Sequence, residues 1–255
     1  MTPSPELQAA LDAAGEAASI ARSMYRHNLE VRLKSDKSPV TEADIRCETA
    51  IRSILEARFP DYGFFGEETA ARGLDADNVW LVDPIDGTKA FVREYPMFST
   101  QIALMRRGEI VLGVSSAPMY GELAYAERGC GAYLNGEVLG VSGIGDLESA
   151  ALSAGNLKTL AAGSGWVRYG ALVARVGRIR GYGDFLHYHL LAAGKIDAVI
   201  ESDVHILDIA ACVAIVSEAG GHFTDLRGAP ITLQSKSVLA TNGLLHAQIL
   251  AARLG

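Results

Sequence analysis

Hydrophobic positions along this chain recur with two different spacings, and the alternation between them maps its elements. Leu7, Leu11, Ala14, Ala18, Ala21 and Tyr25 fall on one face of a helix. The polar stretch Lys34-Ser35-Asp36-Lys37-Ser38-Pro39 separates it from a second helix, with Ala43, Cys47, Ala50, Ile51, Ile54 and Leu55 on one side and Pro60-Asp61 as its stop. The short continuous apolar run at 79–82 predicts a buried strand, and another apolar run lies at 62–65. Residues 100–105 and 110–115 flank a polar turn at Arg107-Gly108 and predict a hairpin; strands at 123–126 and 132–134 follow, the latter closed by the turn signal Asn135-Gly136. From about residue 148 the two periods alternate: strands at 150–153, 179–182, 198–201 and 238–241, helices at 166–176, 185–193, 209–219 and 245–254. Gly194 and Gly220-Gly221 stop two of those helices. This order predicts layered α/β packing with no internal repeat and no long linker.

Composition narrows the class. The chain has 255 residues, 49% apolar and 21% charged, as in an ordinary globular protein with a large core. No apolar run reaches the roughly 18–20 residues that cross a bilayer. Met1-Thr2-Pro3-Ser4-Pro5-Glu6 lacks the basic and apolar parts of a secretory signal. Cys47, Cys130 and Cys212 are widely spaced without a CxxC pair, as expected of free thiols in a reducing cytoplasm. The net charge of −7 argues against nucleic acid as a partner. It would also repel a phosphate substrate unless bound cations stood between them.

The candidate chemistry concentrates in Asp83-Pro84-Ile85-Asp86-Gly87-Thr88, directly after the strand at 79–82. Two carboxylates three residues apart leave that strand, and Gly87 and Thr88 open the next element, where free amides accept an anion. Acids that gather cations beside amides that accept phosphate form the two halves of a metal-assisted phosphate-ester site. Upstream lies a second acid pair, Gly66-Glu67-Glu68, and downstream Asp208-Ile209-Ala210-Ala211 heads a helix. Thr41-Glu42-Ala43-Asp44 fits a capping box, so Asp44 has a structural reading as well as a catalytic one. His187 and His189 sit two apart on a predicted helix and cannot share a metal.

These three motifs, in this order, resemble the inositol monophosphatase-like phosphatases over nearly the whole chain. The resemblance implies an α/β (α+β) fold, a layered αβαβα sandwich. It implies one phosphatase domain over residues 1–255, of which about 1–145 form an α+β half and 146–255 an α/β half carrying Asp208. It implies a cytoplasmic, homodimeric enzyme that hydrolyses a small phosphate ester with two or three Mg²⁺ ions, for which Mn²⁺ can substitute. Glu67, Asp83 and the carbonyl of Ile85 would hold one ion, and Asp83, Asp86 and Asp208 a second. Any third, weaker ion would sit near Glu67. Glu67, Asp44 and Thr88 would be catalytic, the last two orienting a water for in-line attack on phosphorus. The Gly87 and Thr88 amides would bind the phosphate. Glu68 is read as a supporting acid rather than a ligand.

The substrate is read from departures within the family. Lys89-Ala90-Phe91 follows the Gly87-Thr88 turn where inositol phosphatases tend to show Thr-Asn-Phe, and it is also similar to phosphoadenosine phosphatases, although Ala90 and the short middle segment depart from them. Arg180-Gly181-Tyr182-Gly183-Asp184, Leu190-Leu191-Ala192-Ala193-Gly194, Glu201 and Pro96-Met97-Phe98-Ser99-Thr100-Gln101-Ile102-Ala103-Leu104 resemble the histidinol-phosphate phosphatases of the superfamily. Histidinol phosphate carries an ammonium group and an imidazole, which Asp184 and Glu201 would pair, with Asp86 and Asp208 also facing the substrate. Asp184 also reads as a plain N-cap of the helix that starts at Phe185, and Glu201 as an ordinary strand-end acid. The rival expectations are an inositol-1-phosphate or broad sugar-phosphate phosphatase, and an idle binding protein that keeps the fold.

Overall fold

The structure, a computed structural model, describes residues 2–27, 31–33 and 39–255. The polar stretch at 34–38, part of the resemblance around Asp44, lies outside the described residues.

Three apolar clusters divide the molecule into five layers, alternately helical and sheet. The first layer pairs α1 (Pro5–Met24) with α2 (Glu42–Arg58). Ser4 caps α1 by accepting the Leu7 amide, with Pro5 in the first turn, where its missing N–H costs nothing. The buried face of α1 is nearly all alanine, which lets α2 approach closely. A short antiparallel ladder, β1 (Val31–Leu33) with β2 (Pro39–Thr41), lies between the two helices in sequence.

The second layer is a seven-stranded sheet whose neighbours follow chain order: β3 (Gly63–Gly66), β4 (Asn78–Asp86), β5 (Ser99–Arg106), β6 (Glu109–Ala117), β7 (Glu122–Glu127), β8 (Ala132–Leu134) and β9 (Glu137–Val138). Only β3 and β4 are parallel. Between β4 and β5 the chain makes one short helix, α3 (Thr88–Val92). The second sheet, with order β11-β10-β12-β14-β13, comprises β10 (Ala151–Ala154), β11 (Arg178–Arg180), β12 (Ala198–Glu201), β13 (His222–Thr224) and β14 (Val238–Thr241). Between the sheets lie α6 (Asp184–Ala192) and α7 (Ile206–Glu218); outside the second sheet lie α4 (Lys158–Ala162), α5 (Gly165–Val173) and α8 (His246–Leu250).

The period of two in the strands decides which cluster each side chain joins. On β4, Trp80 and Val82 face α1 and α2, whereas Val79 and Leu81 face α7. On β5, Ile102 and Leu104 join the first cluster and Ala103 the second. On β14, Val238 and Ala240 point to α7 while Leu239 points to α5 and α8. Burial of Ile102 or Leu104 contributes about 1.5–3 kcal/mol each.

The expected helices and strands are present, with informative shifts. The strand predicted at 79–82 runs on to Asp86. The helix predicted at 245–254 ends at Leu250. The ladder β1–β2, β9, β13 and α4 are two to five residues long, too short to display a period. On α2 the fully buried stripe is Ala43, Asp44, Cys47, Glu48, Ile51 and Leu55, so two acids take burial expected for Ala50 and Ile54.

Candidate active site

The site is assembled where β4, α3 and α7 converge, and the assembly begins with an irregularity. Along β4 and β5, Asp83 faces Gln101 and Asp86 faces Ser99, so three steps on one strand match two on the other. The extra residue is a β-bulge. In a regular strand residues three apart point to opposite faces; the bulge brings both carboxylates together. Pro84 sits inside this bulge beyond the end of β3, so its missing N–H breaks no ladder bond on that side. Its carbonyl accepts the Thr100 hydroxyl at 2.9 Å. Gly87 then turns the chain into α3 with φ of +91°, and a Cβ there would lie 2.6 Å from the Met97 carbonyl oxygen. Only glycine fits that turn.

The third acid comes from a distant part of the chain. His205 caps α7 through its ring, which accepts the Leu207 amide at 3.4 Å, and Asp208 in the first turn reaches back to the His205 amide at 3.1 Å. This places an Asp208 oxygen within 4.8 Å of oxygens of both Asp83 and Asp86. Asp83 accepts the Ile85 amide at 3.0 Å and Asp86 accepts the Ser99 hydroxyl at 3.1 Å. Ser99 is held in turn by Gln101, which also bonds Ser115. Glu67, on the exposed turn after β3, makes a side-chain contact with Asp83.

Crowding these acids in a poorly solvated place has a calculable sign. Burial, then the charges of Glu67, Asp86 and Asp208, hold the Asp83 carboxyl well above the usual range. Burial, then the charges of Asp184 and Asp208, do the same to Asp86. Asp208 is pushed up to about 7, burial again leading. Three oxygen donors this close, repelling one another, form the hard, anionic donor set that a divalent cation satisfies, so these residues fit a metal.

Beside this cluster, Asp44 serves two purposes. One oxygen accepts the Thr41 amide at 2.7 Å and hydroxyl at 2.6 Å, closing the capping box of α2. The other lies 3.1 Å from the Thr88 hydroxyl, which is also 3.1 Å from the Ile85 carbonyl. Burial raises the Asp44 carboxyl above its usual range. Capping and contact with Thr88 are therefore compatible uses of one side chain.

On the far wall, Gly183 rather than Asp184 is the N-cap of α6, and no side-chain capping bond is made. Asp184 adopts a left-handed φ of +45°, rare for a residue with a side chain. Its carboxyl is raised by burial and by Glu201, and eased by His187 and Lys89. Glu201 is only 3% exposed and internally engaged. It accepts the Asn156 amide at 3.1 Å and the Tyr188 hydroxyl at 2.5 Å, with His187 Nε2 at 3.2 Å. Burial alone would raise Glu201, but His187 and Tyr188 outweigh it and hold the carboxyl below its usual range. His189 points elsewhere, to Glu122 at 2.7 Å and Ser115 at 2.8 Å, so the two histidines serve separate networks.

The sequence reading missed the residues that support the acids: Glu48, Arg52, Ser99, Gln101, His187 and Tyr188. Glu48 had a signal, an acid four residues after Asp44 on the apolar face of a helix. A cavity of about 520 Å³ opens elsewhere, beside Arg168, Arg227 and Lys236, and contains none of the clustered acids.

Comparison with known proteins points the same way. The model of the inositol monophosphatase family matches residues 3–254. A histidinol-phosphatase of Mycobacterium tuberculosis is 40% identical over 88% of this chain and 87% of that protein. An inositol-1-monophosphatase of Caulobacter vibrioides is 37% identical over 87% of this chain and 90% of its own. The crystal structure of the extragenic suppressor protein suhB from Bartonella henselae superimposes with a TM-score of 0.90 at 33% identity, covering 98% of each chain.

Proposed function

The chain belongs to the inositol monophosphatase family and is a phosphoric monoester hydrolase; from that premise we propose that its substrate is L-histidinol phosphate and its metal Mg²⁺. The observation that carries the substrate is Asp184. It stands in a strained conformation at the mouth of α6, close enough to Asp86 to rank directly after burial in raising that carboxyl. Beneath it lies the negative charge of Glu201. A wall of this sign accepts hydrogen bonds from the hydroxyls of inositol as well, but only the ammonium and imidazole of histidinol phosphate add charge pairing to them. Glu201 acts through its field and through His187 and Tyr188 rather than by touching substrate, because its oxygens are already engaged.

Glu67, Asp83, the Ile85 carbonyl, Asp86 and Asp208 would hold two or three Mg²⁺ ions, with Mn²⁺ as a substitute. Bound there, the ions neutralise the phosphate and lower the pKa of water. Asp44 and Thr88 act as a pair: the carboxylate accepts the Thr88 proton, leaving the hydroxyl oxygen to accept from, and so orient, the attacking water. The amides of Gly87 and Thr88, before the first internal bonds of the turn to the Gly87 carbonyl, receive the phosphate oxygens. Residues 1–255 act as one catalytic domain, in a cytoplasmic homodimer.

The test is phosphate release from histidinol phosphate and inositol-1-phosphate side by side, each with Mg²⁺ and with EDTA. The reading expects Mg²⁺-dependent preference for histidinol phosphate, and Asp184→Asn should reduce kcat/KM for it at least about tenfold more than for inositol phosphate, one charged contact amounting to ~1.4 kcal/mol or more. Equal losses on both substrates would remove the charge-pairing argument. Lys89 favours the second reading, an inositol-1-phosphate phosphatase, because its charge partly offsets Asp184. No release from either ester by folded protein would leave an idle binding protein.

A further inference from the structure

One buried acid has no part in the chemistry above. Glu48 lies on α2, one turn beyond Asp44, and is fully buried. Among the described residues, every hydrogen bond it accepts comes from the segment that carries Glu67. The Glu68 amide donates to one of its oxygens at 2.7 Å. The Thr69 amide at 2.8 Å and the Thr69 hydroxyl at 2.5 Å donate to the other. Gly66, on the other side of Glu67, packs directly against the same carboxyl: a Cβ there would lie 2.5 Å from its carbon and one oxygen. Glu48 thus grips the turn before and after Glu67.

Its neighbours on the helix extend the grip. Residues four apart share one face of a helix. Asp44, Glu48 and Arg52 follow that spacing, and the three touch the site in order. Asp44 meets Thr88, Glu48 meets residues 66–69, and the Arg52 guanidinium donates to Thr69 Oγ1 at 2.7 Å and to the Ala70 carbonyl at 3.3 Å while lying over the Phe64 ring. One rigid helix therefore spans the turn after β3 and the turn after β4, which are otherwise separate loops.

We infer that Glu48 is a positioning residue for the metal site: it sets where the Glu67 turn stands relative to the acids of β4, with Arg52 as its brace. The inference rests on the proposed metal reading and concerns residues that touch neither ion nor substrate. A buried carboxylate in an apolar helix face is expensive unless it is hydrogen-bonded, and the three bonds described for Glu48 all come from one turn. Supports of this kind typically change metal affinity about 10–100-fold when removed.

The experiment compares wild type, Glu48→Gln, Glu48→Ala, Gly66→Ala and the Gly66→Ala/Glu48→Ala pair, each checked for folding by circular dichroism. Mg²⁺ alone is titrated calorimetrically, and hydrogen exchange is followed at 66–70 without metal. Glutamine must turn an N–H toward a donor of residue 68 or 69, so exchange at 66–70 should rise and Mg²⁺ affinity should fall about 10–100-fold. The kcat at saturating Mg²⁺ should stay within about fivefold of wild type, since nothing that touches substrate has changed. Gly66→Ala should do the same, because its methyl meets the carboxyl. With Glu48 shortened, that methyl should cost no further affinity. Unchanged exchange and affinity in folded Glu48→Gln would overturn the inference, as would strict additivity in the pair. If wild type takes up no Mg²⁺, the metal reading fails instead, and exchange at 66–70 still decides whether Glu48 holds the turn.

Discussion

Replacing Asp208 with Asn should make the metal-free protein more stable at neutral pH, and the amount follows from the site. The Asp208 carboxyl is pushed up from 3.8 to about 7, first by burial and then by Glu67, Glu201 and Asp184. A folded-state pKa above the unfolded one means that the folded protein holds the proton longer, so this group weakens the fold as pH rises from roughly 4 through 7. Between about pH 5.5 and 7.5 the loss from Asp208 integrates to ~2 kcal/mol, or ~4–8 °C in Tm for a chain of this size. His246 works in the opposite direction. Burial and the facing His222 push it down to about 4 from 6.5, so its neutral form gains stability as pH rises through the same interval. A wild-type curve alone therefore mixes two signs, whereas the difference between wild type and Asp208→Asn cancels His246. Urea unfolding in EDTA across that interval should show the variant's advantage growing by ~2 kcal/mol. Easing of Asp83 and Asp86 on loss of the neighbouring charge adds with the same sign. Mg²⁺ at about 100 times its Kd should then stabilise wild type by ~2.7 kcal/mol at pH near 7.5 and the variant much less. A difference that stays flat with pH would refute the crowding argument, and equal Mg²⁺ stabilisation of both proteins would remove Asp208 from the ligand set.

Other expectations follow from single contacts. Thr88→Val and Asp44→Asn should each lower kcat by about 10²–10⁴ in steady-state assays while Mg²⁺ uptake by calorimetry is retained, if the pair orients water; a loss confined to Mg²⁺ affinity would contradict that role. Gly87→Ala should lower stability by at least about 1–2 kcal/mol in denaturant titrations, because a side chain at φ of +91° is strained and meets the Met97 carbonyl. Tyr188→Phe removes a hydroxyl from Glu201 and should raise the pKa of that acid, read by NMR titration; no movement would mean that His187 alone sets it.

How much of this was legible before folding depends on the range of the interaction. The periods of α1, α2, β4 to β6 and α7 are local, and hydrophobic burial follows them directly, so the helix and sheet layers were readable from spacing. The acids Asp83 and Asp86 and the glycine turn at Gly87 were readable for the same reason, since six consecutive residues carry them together. Local order did not reveal the bulge that turns Asp83 and Asp86 the same way, because it is defined by the register against Gln101 and Ser99. Nor could spacing show that Gly183 caps α6 and leaves Asp184 free. Likewise, nothing adjacent to Glu201 indicates that its carboxylate is occupied by Tyr188 and His187 from a neighbouring helix. Asp44 carried two readings in sequence; in the structure one of its oxygens bonds Thr41 at the start of its own helix and the other bonds Thr88. Glu48, an acid on an apolar helix face, was missed; its partners lie twenty residues away, on a turn that only packing of α2 against β3 and β4 brings within reach. Residue types and periods are properties of neighbours along the chain, whereas a catalytic site is a set of distances between strangers, and those distances exist only once the layers have closed.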